Sequence, residues 1–236
     1  MDQKEIWEQL VSKQYYRLST LASNKYLEGR KKLDLLTMPL IEDISIPHWK
    51  IQPIVGKSPE DIFWYRLSKG IFNVNMNLRT EGQIDYLEER DLFHDTFGHL
   101  PILYDNQYSD YVRGLGNFAM HMKDNAKSRR VLSNVYWFTS EFGLVNEPIH
   151  PLVVLSNPPK NQVHLKAYGA GILSSNAELT YAFSSESKKY VFGETTGFDF
   201  FRDENPYITN GFQQHYLVIE WRHLSQILKW LWANFV

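Results

Sequence analysis

The chain has 236 residues, 43% hydrophobic and 15% aromatic, with 22% charged and a formal net charge of −2. That is enough apolar material for one well-packed domain, and there is no basic excess or polybasic run of the kind that binds nucleic acid or anionic lipid. With no cysteine, disulfides, thiolate metal sites and iron–sulfur clusters are excluded, so any metal must be held by His, Asp or Glu.

The start, Met1-Asp2-Gln3-Lys4-Glu5-Ile6, lacks the pattern of a secretory signal. No run approaches the roughly 18–20 apolar residues that span a bilayer. A soluble, cytoplasmic protein without a membrane partner is expected. Ile6, Trp7, Leu10, Val11, Tyr15 and Leu18 recur in steps of three and four, which predicts an amphipathic helix over 4–22, and a second helix follows near 24–33. Residues 49–54 alternate and form a short strand, with Pro53 marking an edge. Ser58-Pro59-Glu60-Asp61 is a helix start, with Ser58 as cap and Pro59 as first residue of a helix over 59–68. Residues 71–78 alternate and predict a second strand.

Residues 90–98 are expected to be helical, stopped by Gly98 and Pro101. Helices over 107–125 and 127–145 follow, with Asp124 or Ser128 as caps. A strand is expected at 163–168, a helix from Ser174 to about Phe183, a strand at 216–220 and a last helix at 222–234. The aromatic end, Trp230-Leu231-Trp232-Ala233-Asn234-Phe235, is too short to be an anchor. No repeat, low-complexity tract or linker divides the chain. One domain over 1–236, mainly α with minor β, is expected.

The chemistry concentrates in Phe93-His94-Asp95-Thr96-Phe97-Gly98-His99 and Tyr136-Trp137-Phe138-Thr139-Ser140-Glu141-Phe142. Two close histidines and one distant carboxylate can form a facial triad, which leaves half of an iron(II) coordination sphere open. His94 and His99 are five apart, about 140° around an ideal α-helix. They converge on one ion only if the backbone leaves the helix near Gly98. The spacing lacks the His-Glu-x-x-His pattern of zinc proteases, and Asp95 is the one local acid that could serve as a general base in a zinc hydrolase. Spacing does not choose the third ligand. Glu141 stands out because it lies in an almost wholly apolar stretch, where an ionised carboxylate needs a cation. That cation is either a metal or a buried arginine.

These segments resemble the pterin-dependent aromatic amino acid hydroxylases, and most closely the small bacterial phenylalanine hydroxylases. The resemblance is carried by Trp7-Glu8-Gln9-Leu10, Tyr26-Leu27-Glu28-Gly29, residues 85–101, residues 135–144, Lys166-Ala167-Tyr168-Gly169-Ala170-Gly171-Ile172-Leu173-Ser174-Ser175 and, more loosely, residues 212–219. It covers about residues 6–220. It implies the catalytic fold of that family, without a regulatory domain or tetramerisation helix and hence a monomer. It also implies iron(II), a tetrahydropterin co-substrate and O2, with one oxygen atom ending on the ring of an aromatic amino acid, most simply phenylalanine converted to tyrosine.

By the same resemblance the iron ligands are His94, His99 and Glu141, none acting as a general acid or base. Arg79 holds the substrate carboxylate, as a guanidinium does through two parallel hydrogen bonds. Trp137, Gly171, Ser174 and Thr209 line the substrate pocket, and Gly56, Phe63, Asp95 and Tyr136 face the pterin. Without the resemblance, Phe63, Tyr136 and Trp137 read as core aromatics and Arg79 as a surface residue at a strand end. The chain also departs from the bacterial pattern. Glu89-Arg90-Asp91 stands for Glu-Pro-Asp, Gly56-Lys57-Ser58 for Gly-Leu-Ile/Leu, Asn73 for His or Thr, and Thr209 for Val or Ile. Residues 187–205 match nothing. Trp137 favours phenylalanine, because tryptophan-specific members tend to carry Phe there. Tyrosine or tryptophan as substrate, the meta ring position, and a non-catalytic ligand-binding relative are the alternatives.

Overall fold

The computed structural model describes residues 45–79, 90–148, 163–202 and 211–236. The helices expected over 4–22 and 24–33, and Thr209, lie outside these residues. The first described unit is β1 (Lys50–Ile54), α1 (Glu60–Ser68) and β2 (Ile71–Asn75). β1 and β2 pair in parallel, from Lys50 opposite Ile71 to Ile54 opposite Asn75, and a two-stranded sheet is all edge, which accommodates Pro53. Ser58 does not cap α1. Pro59 takes the cap position and its carbonyl accepts from the Phe63 N–H at 2.9 Å, while the Ser58 hydroxyl accepts from Asn73 Nδ2 at 3.0 Å. β2 stops short of residue 78 because β1 ends at Ile54, whose carbonyl takes the last ladder bond from the Met76 N–H at 2.9 Å, while on the other edge the Asn75 N–H donates to the Asp95 carboxylate at 2.6 Å.

The helix expected at 90–98 begins at Leu92 and widens into a π-helix over His94–His99. A 3₁₀ turn, Pro101–Tyr104, leads to α2 (Asn106–His121), capped by Asp105 accepting from the Tyr108 N–H at 2.8 Å. α3 (Ala126–Tyr136) is capped by Asn125 accepting from the Ser128 N–H at 3.0 Å. Asp124, expected as a cap, instead pairs with Arg129. α3 continues as a second π-helix, Trp137–Glu141, and then breaks.

The expected helix to 145 is therefore wrong at its end, because β3 (Gly143–Pro148) is a strand. The break falls at Gly143, where a Cβ would lie 2.3 Å from both the Thr139 carbonyl oxygen and Tyr168 Cζ. β4 (Val163–Ala167) follows. The helix expected from Ser174 is two pieces, α4 (Ala170–Leu173) and α5 (Asn176–Ala182), the second capped by the Ser175 hydroxyl.

β5 (Lys188–Val191) and a 3₁₀ turn, Phe198–Phe201, lie in the segment whose sequence matched nothing. β6 (His215–Ile219) and α6 (Trp221–Phe235) end the chain. The sheet order is β4-β3-β6-β5, antiparallel between β3 and β4 and parallel elsewhere. Leu144, Val145, Leu217 and Val218 from its centre share one apolar cluster with Leu224, Ile227 and Leu231 of α6. Each such buried aliphatic side chain contributes roughly 1.5–3 kcal/mol. The aromatic C-terminus packs on the core through one face: Leu231 and Phe235 are buried, and half-buried Trp230 stacks on Phe198 with ring centroids 4.9 Å apart, while Trp232 is exposed. Among the described residues no helix is long and apolar enough to cross a membrane.

Candidate active site

The two π-helices build the site. Their hydrogen bonds run from residue i+5 back to residue i, as from the Leu100 N–H to the Asp95 carbonyl at 3.1 Å and from the Phe142 N–H to the Trp137 carbonyl at 2.9 Å. Residues five apart then complete roughly one turn and share a face, which an α-helix denies them. His94 Nε2 consequently lies 3.1 Å from His99 Nε2. Gly98 does not release the backbone as the sequence suggested. It lets the helix approach α4, since a Cβ there would stand 2.8 Å from Ala170 Cβ and 2.9 Å from its carbonyl oxygen. The second π-helix stacks Trp137 against Phe142 at 4.9 Å and ends on Glu141.

Glu141 Oε2 is 3.3 Å from His94 Nε2, and Oε1 is 3.3 Å from His99 Nε2. Burial raises the Glu141 carboxyl's proton affinity, but Arg90, His99 and hydrogen bonds from both histidines outweigh it and hold the pKa well below the usual range. Arg90 Nη2 meets Oε1 at 2.5 Å, so the buried carboxylate has an arginine partner as well as two imidazoles. Burial lowers the pKa of His99, partly offset by Glu141, which favours its neutral form. His94 Nδ1 meets the Ser174 hydroxyl at 2.9 Å. The tautomer protonated on Nδ1 donates there and leaves the Nε2 lone pair for a metal, whereas the tautomer protonated on Nε2 donates to Glu141. Asp95 also brings an oxygen within 4.8 Å of both histidines' donor atoms, but one of its oxygens already accepts the Asn75 N–H, and burial raises its pKa.

These donors fit a metal ion. Neighbouring ligands of an octahedral divalent ion, with bonds near 2.1 Å, lie about 3 Å apart, close to the 3.1 and 3.3 Å separations seen. The Tyr136 hydroxyl, next to this cluster, is buried and makes no hydrogen bond of ordinary geometry among the described residues, with Arg90 its nearby cation. The cluster opens into a cavity of about 620 Å³, within the range of small-molecule sites.

Arg79, Trp137, Gly171, Ser174, Gly56, Phe63 and Asp95 all line that cavity. Arg79 is anchored rather than loose: Nε and Nη2 donate to the two Asp91 oxygens at 2.8 Å each, and Nη1 donates to the Ser174 carbonyl at 2.8 Å. One edge of its fork is thus already taken by Asp91. Burial pushes the Asp91 carboxyl up, but hydrogen bonds from Arg79 and the His94 N–H win and hold it below its usual pKa. Trp137 Nε1 donates to Gln213 Oε1 at 3.0 Å. Gly171 has no room for a side chain, because its Cβ would come within 2.6 Å of Phe142 Cζ. Gly56 turns with φ +72°. Tyr136 stands behind the wall, its ring 5.5 Å from Phe63 and 6.3 Å from His99.

Reasoning from sequence missed Asp91, Phe142 and Glu178. Asp91 sat in the matched segment, and a buried acid there demanded a cation. Glu178 lines the cavity and accepts hydrogen bonds from Tyr216 and the Gln213 N–H. Nothing in its spacing marked it.

Two imidazoles and a carboxylate meeting at the floor of a largely apolar pocket are the donor set of the mononuclear non-haem iron oxygenases. Residues 4–229 match the biopterin-dependent aromatic amino acid hydroxylases, and the chain belongs to that family. It is 33% identical over 222 residues to phenylalanine-4-hydroxylase of Chromobacterium violaceum, covering 91% of this chain and 68% of that protein. Phenylalanine-4-hydroxylase of Caulobacter vibrioides is 30% identical over 224 residues, covering 92% and 69%. The crystal structure of the Chromobacterium violaceum enzyme with bound iron(III) and 7,8-dihydrobiopterin superposes with a TM-score of 0.68 at 30% identity, covering 94% of this chain and 80% of that one.

Proposed function

We propose that the protein is an iron(II)- and tetrahydropterin-dependent monooxygenase that hydroxylates L-phenylalanine to L-tyrosine. The observation that carries this reading is the convergence of His94, His99 and Glu141 at the wall of a cavity that His94 and Glu141 line together with Arg79, His99 lying buried just behind them. His94, His99 and Glu141 would hold the iron, which with a reduced pterin and O2 supplies the oxidising power. The rest is the work of the chain. Arg79, fixed by Asp91 and the Ser174 carbonyl, supplies the positive charge at the cavity wall that draws the amino acid carboxylate. Ser174 ties that arginine to the metal floor, accepting from Arg79 through its carbonyl and meeting His94 through its hydroxyl. Trp137 and Phe142 wall the ring position, and their apolar surface keeps water from the reacting carbon. Phe63 offers a ring face to the pterin, with Gly56 and Asp95 on the same side. The protein is read as a single catalytic domain, a cytoplasmic monomer acting on a free amino acid, without nucleic-acid or membrane partners.

The test is to incubate the iron(II)-loaded protein with a tetrahydropterin and phenylalanine, tyrosine or tryptophan, then identify products by mass spectrometry and NMR. Tyrosine formed from phenylalanine is the expected result. Preferred turnover of another amino acid, or meta-hydroxyphenylalanine, overturns the substrate assignment, and no product at all overturns the enzyme. Replacing His94, His99 or Glu141 with Ala should remove bound iron. A Glu141→Ala protein that binds iron normally would sink the ligand set.

A further inference from the structure

Glu141's two oxygens are not equivalent. Oε2 faces His94 Nε2, whereas Oε1 faces His99 Nε2 and also receives Arg90 Nη2 at 2.5 Å. Arg90 is built into this position. Its guanidinium lies 5.6 Å from the Phe63 ring and 5.7 Å from the Tyr136 ring, both attractive placements for a cation. Its side chain is 38% exposed and lines the cavity. A guanidinium stays charged at any working pH and makes short, strong hydrogen bonds to carboxylates.

We propose that Arg90 is a positioning residue of the metal site: it occupies Glu141 Oε1, so that the carboxylate gives a bound divalent ion one oxygen rather than two, and its charge keeps that ion weakly held. The inference rests on reading His94, His99 and Glu141 as the ligands. A carboxylate can bind an ion through one or both oxygens. Binding through both takes up a further coordination position on the ion. Arginine and metal share a single carboxylate, and two cations a few ångströms apart repel at a separation shorter than the screening length of solution.

The probe is Co(II), titrated into metal-free protein by calorimetry with a competing chelator, alongside crystal structures of the Co(II)-loaded proteins. Arg90→Ala and Arg90→Gln should each bind Co(II) about tenfold or more tightly than wild type, and Arg90→Lys should stay close to wild type. The Glu141 carboxylate should contact Co(II) through one oxygen in wild type and both in Arg90→Ala. Circular dichroism before titration checks that the variants are folded, and Arg90→Gln, which keeps most of the side-chain bulk, serves if Arg90→Ala is not. Equal or weaker Co(II) binding by the folded neutral variants overturns the proposal, as does two-oxygen coordination in wild type. His99→Ala separates the two readings. It should lose Co(II) whatever Arg90 does, and if it binds like wild type the ligand set itself is wrong and the role of Arg90 falls with it.

Discussion

Replacing Glu178 with Gln should make the protein more stable, and by an amount that grows with pH. Glu178 sits on α5, 6% exposed, and its Oε1 accepts from the Tyr216 hydroxyl and from the Gln213 N–H at 3.1 Å. Neither partner carries a charge. Burial pushes its pKa from 4.5 to about 7, with those two hydrogen bonds only partly opposing the rise. The folded state therefore holds a proton that the unfolded chain has already released between these pH values, and stability falls as pH rises from 4.5 through 7. At about 1.4 kcal/mol per pH unit, the ionised carboxylate costs roughly 3 kcal/mol above pH 7. Glutamine keeps an oxygen for both donors and has no charge to bury. Urea unfolding of wild type and Glu178→Gln at pH 5, 6, 7 and 8 should show a difference that moves in favour of glutamine by about 2–3 kcal/mol between pH 5 and pH 8. A difference independent of pH, or a glutamine variant less stable at pH 8, would refute the reasoning.

Gly98→Ala should lose about 1–3 kcal/mol of stability, the usual cost of overpacking, because its methyl meets Ala170 Cβ and carbonyl oxygen at 2.8 and 2.9 Å; an unchanged unfolding midpoint would mean the two elements separate freely. Arg79→Lys keeps the charge but cannot keep both bonds to Asp91 and still face a carboxylate. Loss of roughly 2–5 kcal/mol should raise KM for the amino acid by tens- to thousands-fold with metal content unchanged, and a normal KM removes Arg79 from the site. Trp137→Phe should shift the kcat/KM ratio of tryptophan to phenylalanine upward by about ten- to two-hundredfold, measured by competition of the two substrates. A constant ratio argues that Trp137 does not face the ring.

The parts of the fold that were readable are those in which local periodicity and burial agree. α2 and α6 fell within the spans expected to be helical, and β1 and β2 followed from alternation. The errors share a cause: contacts distant in sequence decided them. The run Phe142-Gly143-Leu144-Val145 continues a helical pattern, yet Tyr168 crowds Gly143 and β4 and β6 claim the backbone as β3. Ser58 carries every mark of a cap, but Asn73 takes its hydroxyl. At the site, residue types and segment resemblance pointed to His94, His99 and Glu141, while the π-helix that reconciles a spacing of five with a shared face has no local signature. The need of Glu141 for a cation was readable, and its partner Arg90 was visible only as a departure from pattern. That Arg79 would spend one edge of its fork on Asp91 belongs to tertiary geometry alone.

A π-helical turn is an α-helical turn with one residue inserted. Removing a residue between His94 and His99, Thr96 for instance, would place the two imidazoles four apart, where an ordinary α-helix also aligns them. At a spacing of five the wide turn is what brings these two histidines together, whereas at four an ordinary turn would serve. What the extra residue changes is the phase of everything downstream: a wide turn rotates less per residue, so Leu100, Pro101 and Ile102, all buried, sit roughly 100° short of where an uninterrupted α-helix would put them. The insertion works as a clutch. It allows one side of the helix to turn toward the cavity for a single revolution and returns the next side to the core.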